Sequence, residues 1–424
     1  MITQIRIDGF KSFRGFHLDV PPALLVLGAN GAGKSNLFDA LRLVAGTADR
    51  GVEDTVRRDP RLAAGGLFRR GEAGPGSELT ITVGALVATA DGPLPIRIRL
   101  RLDRTEHRSL RPARGSALWV SSLEETGWME RVGLDGDARE AVVRARAAFA
   151  ARSAGRGAAY LPFHGPLGAA LPPGETVDDA LLAEPGAELR MLAARECAAW
   201  PPLLLDPAAL RRPTPVLGEG RLAPDGANTA EVLRRIEERP PLWRRFAADL
   251  AALVEDIEDV RTVYDERREE YDFEVRFSRT GWLSPPALSD GTLRMVALLA
   301  AAQDPAWPGG MCVEEIENGM NPEHVADLVR RLRRGTGVDA GAASYRQLIA
   351  STHSPALLGA LRGDLSGSIV FLEQADRVDP ADGSVSRATV ARPLRPYDPG
   401  RKPGETVTPE RVERLLRGLG GGGR

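Results

Sequence analysis

The chain has 424 residues, of which 43% are hydrophobic and 27% charged, and its formal net charge is −2. This length allows two or three domain-sized units with a substantial core, and the near-neutral charge excludes a general attraction to nucleic acid or anionic lipid. The cysteines lie far apart, His17, His107, His164 and His324 have no metal-ligand spacing, and no apolar stretch is long enough to span a membrane. We therefore expect a cytoplasmic protein with no membrane contact.

The first predicted elements are two short strands, over residues 2–8 and 16–20, on either side of Phe10-Lys11-Ser12-Phe13. An apolar run, Leu24–Leu27, then leads into residues 28–35, which match the pattern GxxxxGK(S/T) and precede a predicted helix over 36–43. In this pattern the glycines let backbone N–H groups surround a β-phosphate, Lys34 reaches the β- and γ-phosphate oxygens, and Ser35 can bind Mg²⁺. The predicted nucleotide-binding residues of this loop are Gly28, Asn30, Gly31, Gly33, Lys34, Ser35 and Asn36.

Composition supports the assignment of this loop. Lysine occurs at only three positions in the whole chain, Lys11, Lys34 and Lys402, although 56 residues are basic. A lysine at position 34 is therefore not explained by the general use of basic residues, and we expect a nucleotide triphosphate to bind there.

An antiparallel β-lobe is predicted next, because apolar residues alternate with polar ones at 79–83 and 96–102. Residues 104–200 have a mixed pattern, with a strand near 117–121, helices near 138–152 and 186–199, and a Gly/Pro-rich break at 165–175. Arginines recur at every second residue from Arg97 to Arg101 and continue at 104, 108, 111 and 114. This row could follow a DNA phosphate backbone, or it could be a solvated face in an arginine-rich protein.

Helical periodicity returns over residues 229–257, and two strands are predicted at Val260–Tyr264 and Tyr271–Phe277. Ser289-Asp290-Gly291 then begins an apolar helix, which would place a serine hydroxyl and free backbone donors at a second anion-binding helix end. An apolar strand at Met311–Val313 ends in Glu314 and Glu315, and another at Leu348–Ser351 ends in Thr352-His353. Taken alone, each of these segments has an ordinary explanation as a helix cap, a strand end or a loop.

The order of these segments resembles the ABC-type ATPase heads and, among them, the RecF/SMC-like predicted ATPases, whose chains also open on a Phe-Lys-Ser-Phe segment. Residues 68–72 and 222–228 add to this resemblance. It implies an α/β fold with a P-loop parallel-sheet core, an N-terminal antiparallel β-lobe and a mixed, mainly helical insertion. The corresponding division is 1–103 and 201–397 for the two halves of the head, 104–200 for the insertion, and 398–424 for a flexible C-terminal tail.

The resemblance also implies roles for individual residues. Two heads would face each other head to tail, with two ATP molecules between them, each touched by one chain's P-loop and by the partner's signature residues. Ser35 and Glu314 would hold Mg²⁺, Glu315 would activate the attacking water, and His353 would contact the γ-phosphate. The signature residues are Ser289 and Gly291, Lys11 would contact phosphate or ribose, and Asn318 and Gly319 would form the D-loop that couples the two sites.

The chain departs from the family pattern at three places. Glu314 stands where Walker B segments usually have aspartate, Ile316 stands where proline is common, and no glutamine lies between Gln4 and Gln303 to serve as a Q-loop residue. The metal geometry and the coupling route are therefore open. Phe10, Phe13 and Phe16 could contact adenine, but aromatic residues at this spacing are more often part of a core.

Two functions from different classes fit the sequence. In the first, an ATP hydrolase dimerises and clamps double-stranded DNA in repair or genome maintenance. In the second, an ATP-gated sensor or scaffold works with a separate effector protein in anti-phage defence. A transporter subunit is disfavoured by the Phe-Lys-Ser-Phe opening, the missing Q-loop glutamine and the inserted region.

Overall fold

The fold is built on a parallel sheet that carries the P-loop. This computed structural model describes residues 1–71, 74–104, 110–112, 118–122, 127–152, 161–163, 185–216, 220–306, 309–339, 344–361, 363, 367–378, 385–395 and 404–420. In the core sheet β15, β17, β3 and β18 run parallel, and β16 and β19 pair antiparallel with β17 and β18. Its strands are β3 (Ala23–Gly28), β15 (Gly310–Val313), β16 (Gly337–Asp339), β17 (Ser344–Thr352), β18 (Ile369–Val378) and β19 (Val385–Pro393).

A second, antiparallel sheet forms the N-terminal lobe, in the order β10-β9-β7-β6-β1-β2 with β8 beside β7. Its strands are β1 (Ile2–Asp8), β2 (Phe16–Asp19), β6 (Glu78–Thr89), β7 (Gly92–Arg104), β8 (Leu110–Pro112), β9 (Leu118–Ser122) and β10 (Leu161–Phe163). The short pair β4 (Arg70–Gly71) and β5 (Gly74–Pro75) lies before β6. The α/β fold with an N-terminal antiparallel sheet, expected from the sequence, is thereby confirmed.

A third sheet precedes the signature segment and consists of β11 (Thr214–Pro215), β12 (Ile257–Asp265), β13 (Glu270–Phe277) and β14 (Gly281–Leu283). The helices of the first half of the chain are α1 (Lys34–Arg50), α2 (Val52–Arg58), α3 (Ala64–Leu67), α4 (Trp128–Arg131), α5 (Gly136–Arg152) and α6 (Pro185–Cys197). Those of the second half are α7 (Pro207–Leu210), α8 (Thr229–Glu237), α9 (Pro240–Ala251), α10 (Asp290–Gln303), α11 (Pro322–Leu332), α12 (Pro355–Leu361) and α13 (Pro409–Gly420). Single 3₁₀ turns lie at Pro60–Leu62 and Pro285–Ala287.

Strand β3 separates two hydrophobic cores. Leu24 and Val26 point into a core shared with α1 and the antiparallel sheet, whereas Leu25 and Leu27 point into a core shared with α8, α10 and α11. Because successive side chains of a strand face opposite sides, a strand that is covered on both faces is apolar throughout. The P-loop strand therefore touches both halves of the molecule.

The predicted insertion is partly continuous with the N-terminal lobe. Strands β9 and β10 extend the antiparallel sheet, with β9 paired to β7, and α5 packs on β7. Residues 165–175, the predicted Gly/Pro-rich break, lie outside the described residues.

The end of the chain differs from the expected flexible tail. Residues 409–420 form helix α13, and Val412 is fully buried against the core that contains α12. Val407 also pairs with Leu394 in an isolated bridge. A short amphipathic helix is a weak sequence signal beside four consecutive glycines, which explains the difference. Within the described residues, no helix is long and apolar enough to cross a membrane.

Candidate functional site

Three predicted motifs meet at one edge of the core sheet. Strands β15, β17 and β3 are parallel neighbours, with Val313 beside Ala350 and Thr352 beside Leu27. The P-loop, the pair Glu314–Glu315 and His353 each follow one of these strands directly. Parallel strands bring their carboxyl ends to the same edge, where ligands of α/β proteins commonly bind.

The P-loop has the backbone that its glycines allow. Gly31 and Gly33 have φ values of 76° and 103°, and a Cβ at Gly33 would lie 2.4 Å from the Thr389 hydroxyl oxygen. Only glycine fits this position without strain. The Thr389 hydroxyl on β19 lies 2.7 Å from Ser12 Oγ and 3.0 Å from the Ala32 carbonyl oxygen. Thr389 thereby links the P-loop to β19 and to the Phe-Lys-Ser-Phe segment.

Lys34 and Ser35 begin helix α1. The Lys34 ammonium donates to the carbonyl oxygens of Gly28 at 2.5 Å and Ala29 at 3.0 Å, while Ser35 is exposed. Burial lowers the pKa of Lys34, and the carboxylates of Glu317 and Glu315 oppose this by raising it. The lysine ammonium thus lies among carbonyl oxygens and carboxylates. A change of its side-chain torsions would bring this charge to bound phosphates. Asn36 donates to Ser12 Oγ at 2.9 Å and stands behind the loop.

Lys11, the predicted phosphate or ribose contact, is engaged elsewhere. Its ammonium pairs with Asp39 at 2.5 Å and donates to the Arg61 carbonyl oxygen at 2.9 Å. The side chain is 15% exposed. Phe10, Phe13 and Phe16 are buried in the core, which is the ordinary explanation of their spacing.

Glu314 lies between two arginines. Its Oε1 is 3.2 Å from a guanidinium nitrogen of Arg42, and its Oε2 is 3.2 Å from both terminal nitrogens of Arg61. Burial raises the pKa of Glu314, and Arg61 and Arg42 counteract this by stabilising the carboxylate. Arg61 also forms an ion pair with Asp39 at 2.9 Å, which makes the cluster continuous with Lys11.

The metal site implied by the resemblance fits these residues only in part. The exposed Ser35 hydroxyl lies at a helix start, where it can reach a metal, but no hydrogen bond or ion pair among the described residues joins Ser35 to Glu314. Nor do the described residues contain a group of three His, Cys, Asp or Glu side chains placed to hold a metal ion. Mg²⁺ usually keeps several waters beside one or two protein ligands, so Ser35 and a water-mediated Glu314 remain compatible with it.

Glu315 has an unusual backbone. Its φ of 48° lies in the left-handed region, which is costly for a side chain with a Cβ and is often found at functional sites. Ser351, at the end of β17, holds this conformation by accepting the Glu315 N–H at 3.0 Å with its Oγ and the Ile316 N–H at 3.0 Å with its carbonyl oxygen. Ser351 was not singled out from the sequence, because a serine inside an apolar strand has no distinctive pattern.

His353 contacts a third carboxylate, Glu317. The Oε1 of Glu317 accepts the His353 backbone N–H at 2.7 Å and lies 3.0 Å from the ring Nδ1. The Glu317 side chain is 10% exposed and the His353 side chain 49%. The pattern Glu-Glu-x-Glu in the sequence contained this residue, but the spacing alone did not relate it to the histidine.

The signature segment caps its helix and stays open to solvent. Ser289 Oγ accepts the Thr292 N–H at 3.2 Å, and Asp290 pairs with Arg211 at 2.6 Å. Gly291 lies so close to the D-loop that a Cβ there would be 2.8 Å from the Gly319 carbonyl oxygen. Among the described residues, no hydrogen bond joins Ser289 or Gly291 to the P-loop of the same chain.

The fold is that of an SMC-type head, and the comparisons with known proteins support the resemblance to SMC/RecF-like P-loop ATPases seen in the sequence. Two family models match the chain. One, described as "AAA domain, putative AbiEii toxin, Type IV TA system", matches residues 200–359, and one described as "AAA domain" matches residues 4–83. A comparison with curated proteins gives no match.

A solved SMC head shares the fold, and two further SMC heads align less closely. An SMC head bound to the C-terminal winged-helix domain of ScpA aligns with a TM-score of 0.53 at 15% identity, covering 92% of this chain and 97% of the other. The Pyrococcus yayanosii SMC head with a coiled coil and joint gives 0.47 at 12% identity, covering 99% of each chain. The Pyrococcus furiosus SMC head with an extended coiled coil, bound to the C-terminal domain of ScpA, gives 0.44 at 13% identity, covering 92% of this chain and 96% of the other.

Proposed function

We propose that this chain is an ATP-hydrolysing head that dimerises head to tail around two ATP molecules and acts on double-stranded DNA. The observation that carries the proposal is the placement of the motifs. The P-loop, Glu315 and His353 share one edge of the core sheet, while Ser289 lies on an exposed helix end and, among the described residues, has no hydrogen bond to that P-loop. A second copy of the chain can supply the missing signature contact.

Each residue at this edge has a role in phosphoryl transfer. Lys34 binds the β- and γ-phosphates, Glu315 orients and deprotonates the attacking water, and His353 contacts the γ-phosphate. Mg²⁺ bound at Ser35, with Glu314 acting through water, would neutralise phosphate charge. Because phosphoryl transfer is accelerated mainly by positioning and electrostatic stabilisation, a rigid sheet edge is a suitable base for these groups.

Support for DNA as the target comes from the outer face of the antiparallel sheet. Arg97 and Arg99 are half-buried and alternate with the fully buried Ile96 and Ile98, so the arginines lie on the opposite face of β7 from these isoleucines. The strand register places Arg99 between Thr82 and Trp119 on the neighbouring strands. Arg101 pairs with Glu78 at 2.7 Å, and Arg108 and Arg114 lie outside the described residues. Arginines beside an aromatic ring are suited to contact with a phosphate backbone.

The second candidate is an ATP-gated sensor or scaffold that works with a separate effector protein in anti-phage defence. The observation that favours it is the family-model match over residues 200–359, whose description names a putative toxin of a toxin–antitoxin system. In this function, ATP would control the binding of the effector protein rather than the closure of the head dimer around DNA.

Steady-state ATP turnover with and without duplex DNA separates the two functions. The wild-type protein is compared with Lys34→Ala as the blank and with Arg97→Glu/Arg99→Glu as the test of the sheet face. We expect DNA to stimulate wild-type turnover and to leave the double variant at its basal rate. Wild-type turnover that ignores DNA would favour the effector-linked function, and turnover equal to that of Lys34→Ala would contradict ATP hydrolysis by this chain.

A further inference from the structure

We infer that Glu317 is a positioning residue that fixes the ring of His353, so that its Nε2 faces the γ-phosphate. The inference rests on the proposed ATPase function and adds a residue to it. Glu317 would touch neither the nucleotide nor the attacking water, and it would act through the histidine.

The contacts between the two residues determine which ring nitrogen is presented. Nδ1 lies 3.0 Å from Glu317 Oε1, so this edge of the ring faces the carboxylate. Nε2 lies on the opposite edge of the ring and is the nitrogen that can donate to a γ-phosphate oxygen, which only accepts hydrogen bonds. The same Oε1 accepts the His353 backbone N–H at 2.7 Å, so one oxygen holds both the main chain and the ring. Within the described residues, no polar group contacts Nε2.

The turn that carries Glu317 is held by other groups. Ser351 accepts the N–H groups of Glu315 and Ile316, and backbone bonds join Asn318 to Glu315 and Met320 to Glu317. None of these bonds uses the Glu317 carboxylate. Replacing the side chain should therefore leave the turn in place and release only the histidine.

The location of Glu317 agrees with a role at the phosphates. Its carboxylate lies close enough to Lys34 to be the largest charge that raises the lysine pKa against the effect of burial. Its second oxygen, Oε2, is buried and has no hydrogen-bond partner among the described residues. A buried carboxylate with only one of its two oxygens hydrogen-bonded is uncommon for a purely structural group.

The kinetic test is a double-mutant cycle of Glu317→Ala, His353→Ala and the double variant, with Glu317→Gln as the conservative variant and the exposed Glu323→Ala as the matched control. We expect Glu317→Ala to lower kcat by about 10–100-fold with little change in the KM for ATP, as for other residues that orient a functional histidine. Glu317→Gln, whose amide oxygen still accepts hydrogen bonds, should keep most of the activity, and Glu323→Ala all of it. The double variant should be no slower than His353→Ala. Losses that multiply in the double variant would overturn the inference.

A second readout does not depend on turnover. In protein labelled with ¹⁵N only at histidine, the ring shifts of His353, assigned with His353→Ala, report the surroundings of Nδ1 and Nε2. We expect the Nδ1 shift of the wild type to be kept in Glu317→Gln and to change in Glu317→Ala. An Nδ1 shift that is the same in the wild type and Glu317→Ala would overturn the inference. A wild type that hydrolyses no more ATP than Lys34→Ala would instead contradict the proposed function. It would leave the inferred orientation of the His353 ring by Glu317 unaffected.

Discussion

Glu314 is charge-compensated by the protein itself, because each of its oxygens faces a guanidinium group. A carboxylate in this position binds a metal only if it gives up part of an ion pair, and the net gain from metal binding is correspondingly smaller. This arrangement favours a water-mediated role for Glu314 and slow basal hydrolysis.

The same arrangement predicts how activity depends on pH. Burial raises the pKa of Glu314 above its ordinary value, so the folded protein binds this proton more tightly than the unfolded chain does. The stability linked to this group is thus fully present below the ordinary pKa and is lost as pH rises through the raised one. Activity has the opposite sign, since it needs the carboxylate and falls as pH decreases through the raised pKa. Arg61→Ala removes a compensating charge, so the pH below which activity falls should be higher in this variant than in the wild type. This fall forms the acidic limb of the pH–activity profile.

The measurement is kcat/KM for ATP between about pH 5 and pH 8. Arg57→Ala is the matched control, because Arg57 is 72% exposed on α2 and pairs with Asp54. An acidic limb that is the same in wild type and Arg61→Ala would contradict a functional role for the Glu314 carboxylate.

Individual residues differ in how far the sequence could identify them. Glu314 and Glu315 could be identified from the sequence because an apolar strand that ends in two carboxylates is a local pattern. Arg42 and Arg61 were not, because they lie 272 and 253 residues from Glu314 and are two among many arginines. Thr389 and Ser351 were missed because their contacts with the P-loop and with Glu315 are created by the order of the strands in the sheet.

At the scale of elements, hydrophobic periodicity located three of the four parallel strands, β3, β15 and β17, and the signature helix. Helix α1 is longer than predicted, since buried Leu43, Val44 and Ala48 continue its apolar face to Arg50. Strands β18 and β19 were not predicted from the sequence. The contact of Thr389 on β19 with the P-loop was therefore missed as well. Local signals thus gave the type of most elements, whereas pairing partners required the folded structure.

The signature helix gives a prediction of its own. Ser289→Arg places a bulky charge at the exposed start of α10 and should lower turnover by at least about 100-fold, while ATP binding to a single head is unchanged because the residue acts on the partner's nucleotide. Turnover and fluorescent-nucleotide binding measure the two effects, and Ser278→Arg, at another exposed serine, is the control.

Mixing Ser289→Arg with Lys34→Ala provides the sharper result. A mixed dimer would contain one intact P-loop opposite one intact signature, so we expect partial recovery, with no more than one working site per dimer. Full activity in the mixture, or loss of ATP binding in Ser289→Arg alone, would contradict action across the interface.

For the whole molecule, the proposal predicts a change of assembly. Glu315→Gln should bind ATP without hydrolysing it and accumulate as a dimer, because the step that separates the heads is blocked. Light scattering coupled to size exclusion should then give twice the 45.5 kDa of one chain with ATP and the monomer mass without it. Lys34→Ala should remain monomeric under both conditions, and a monomeric Glu315→Gln with ATP would contradict the sandwich.

The contact of Gly291 with Gly319 has a consequence for communication between the two sites of such a dimer. In each chain, the segment that would be offered to the neighbour's nucleotide lies directly against the turn that follows the chain's own Glu315. Movement of one segment would therefore displace main-chain atoms of the other. Each head would in this way sense whether its neighbour is loaded, by a route that does not pass through a Q-loop glutamine.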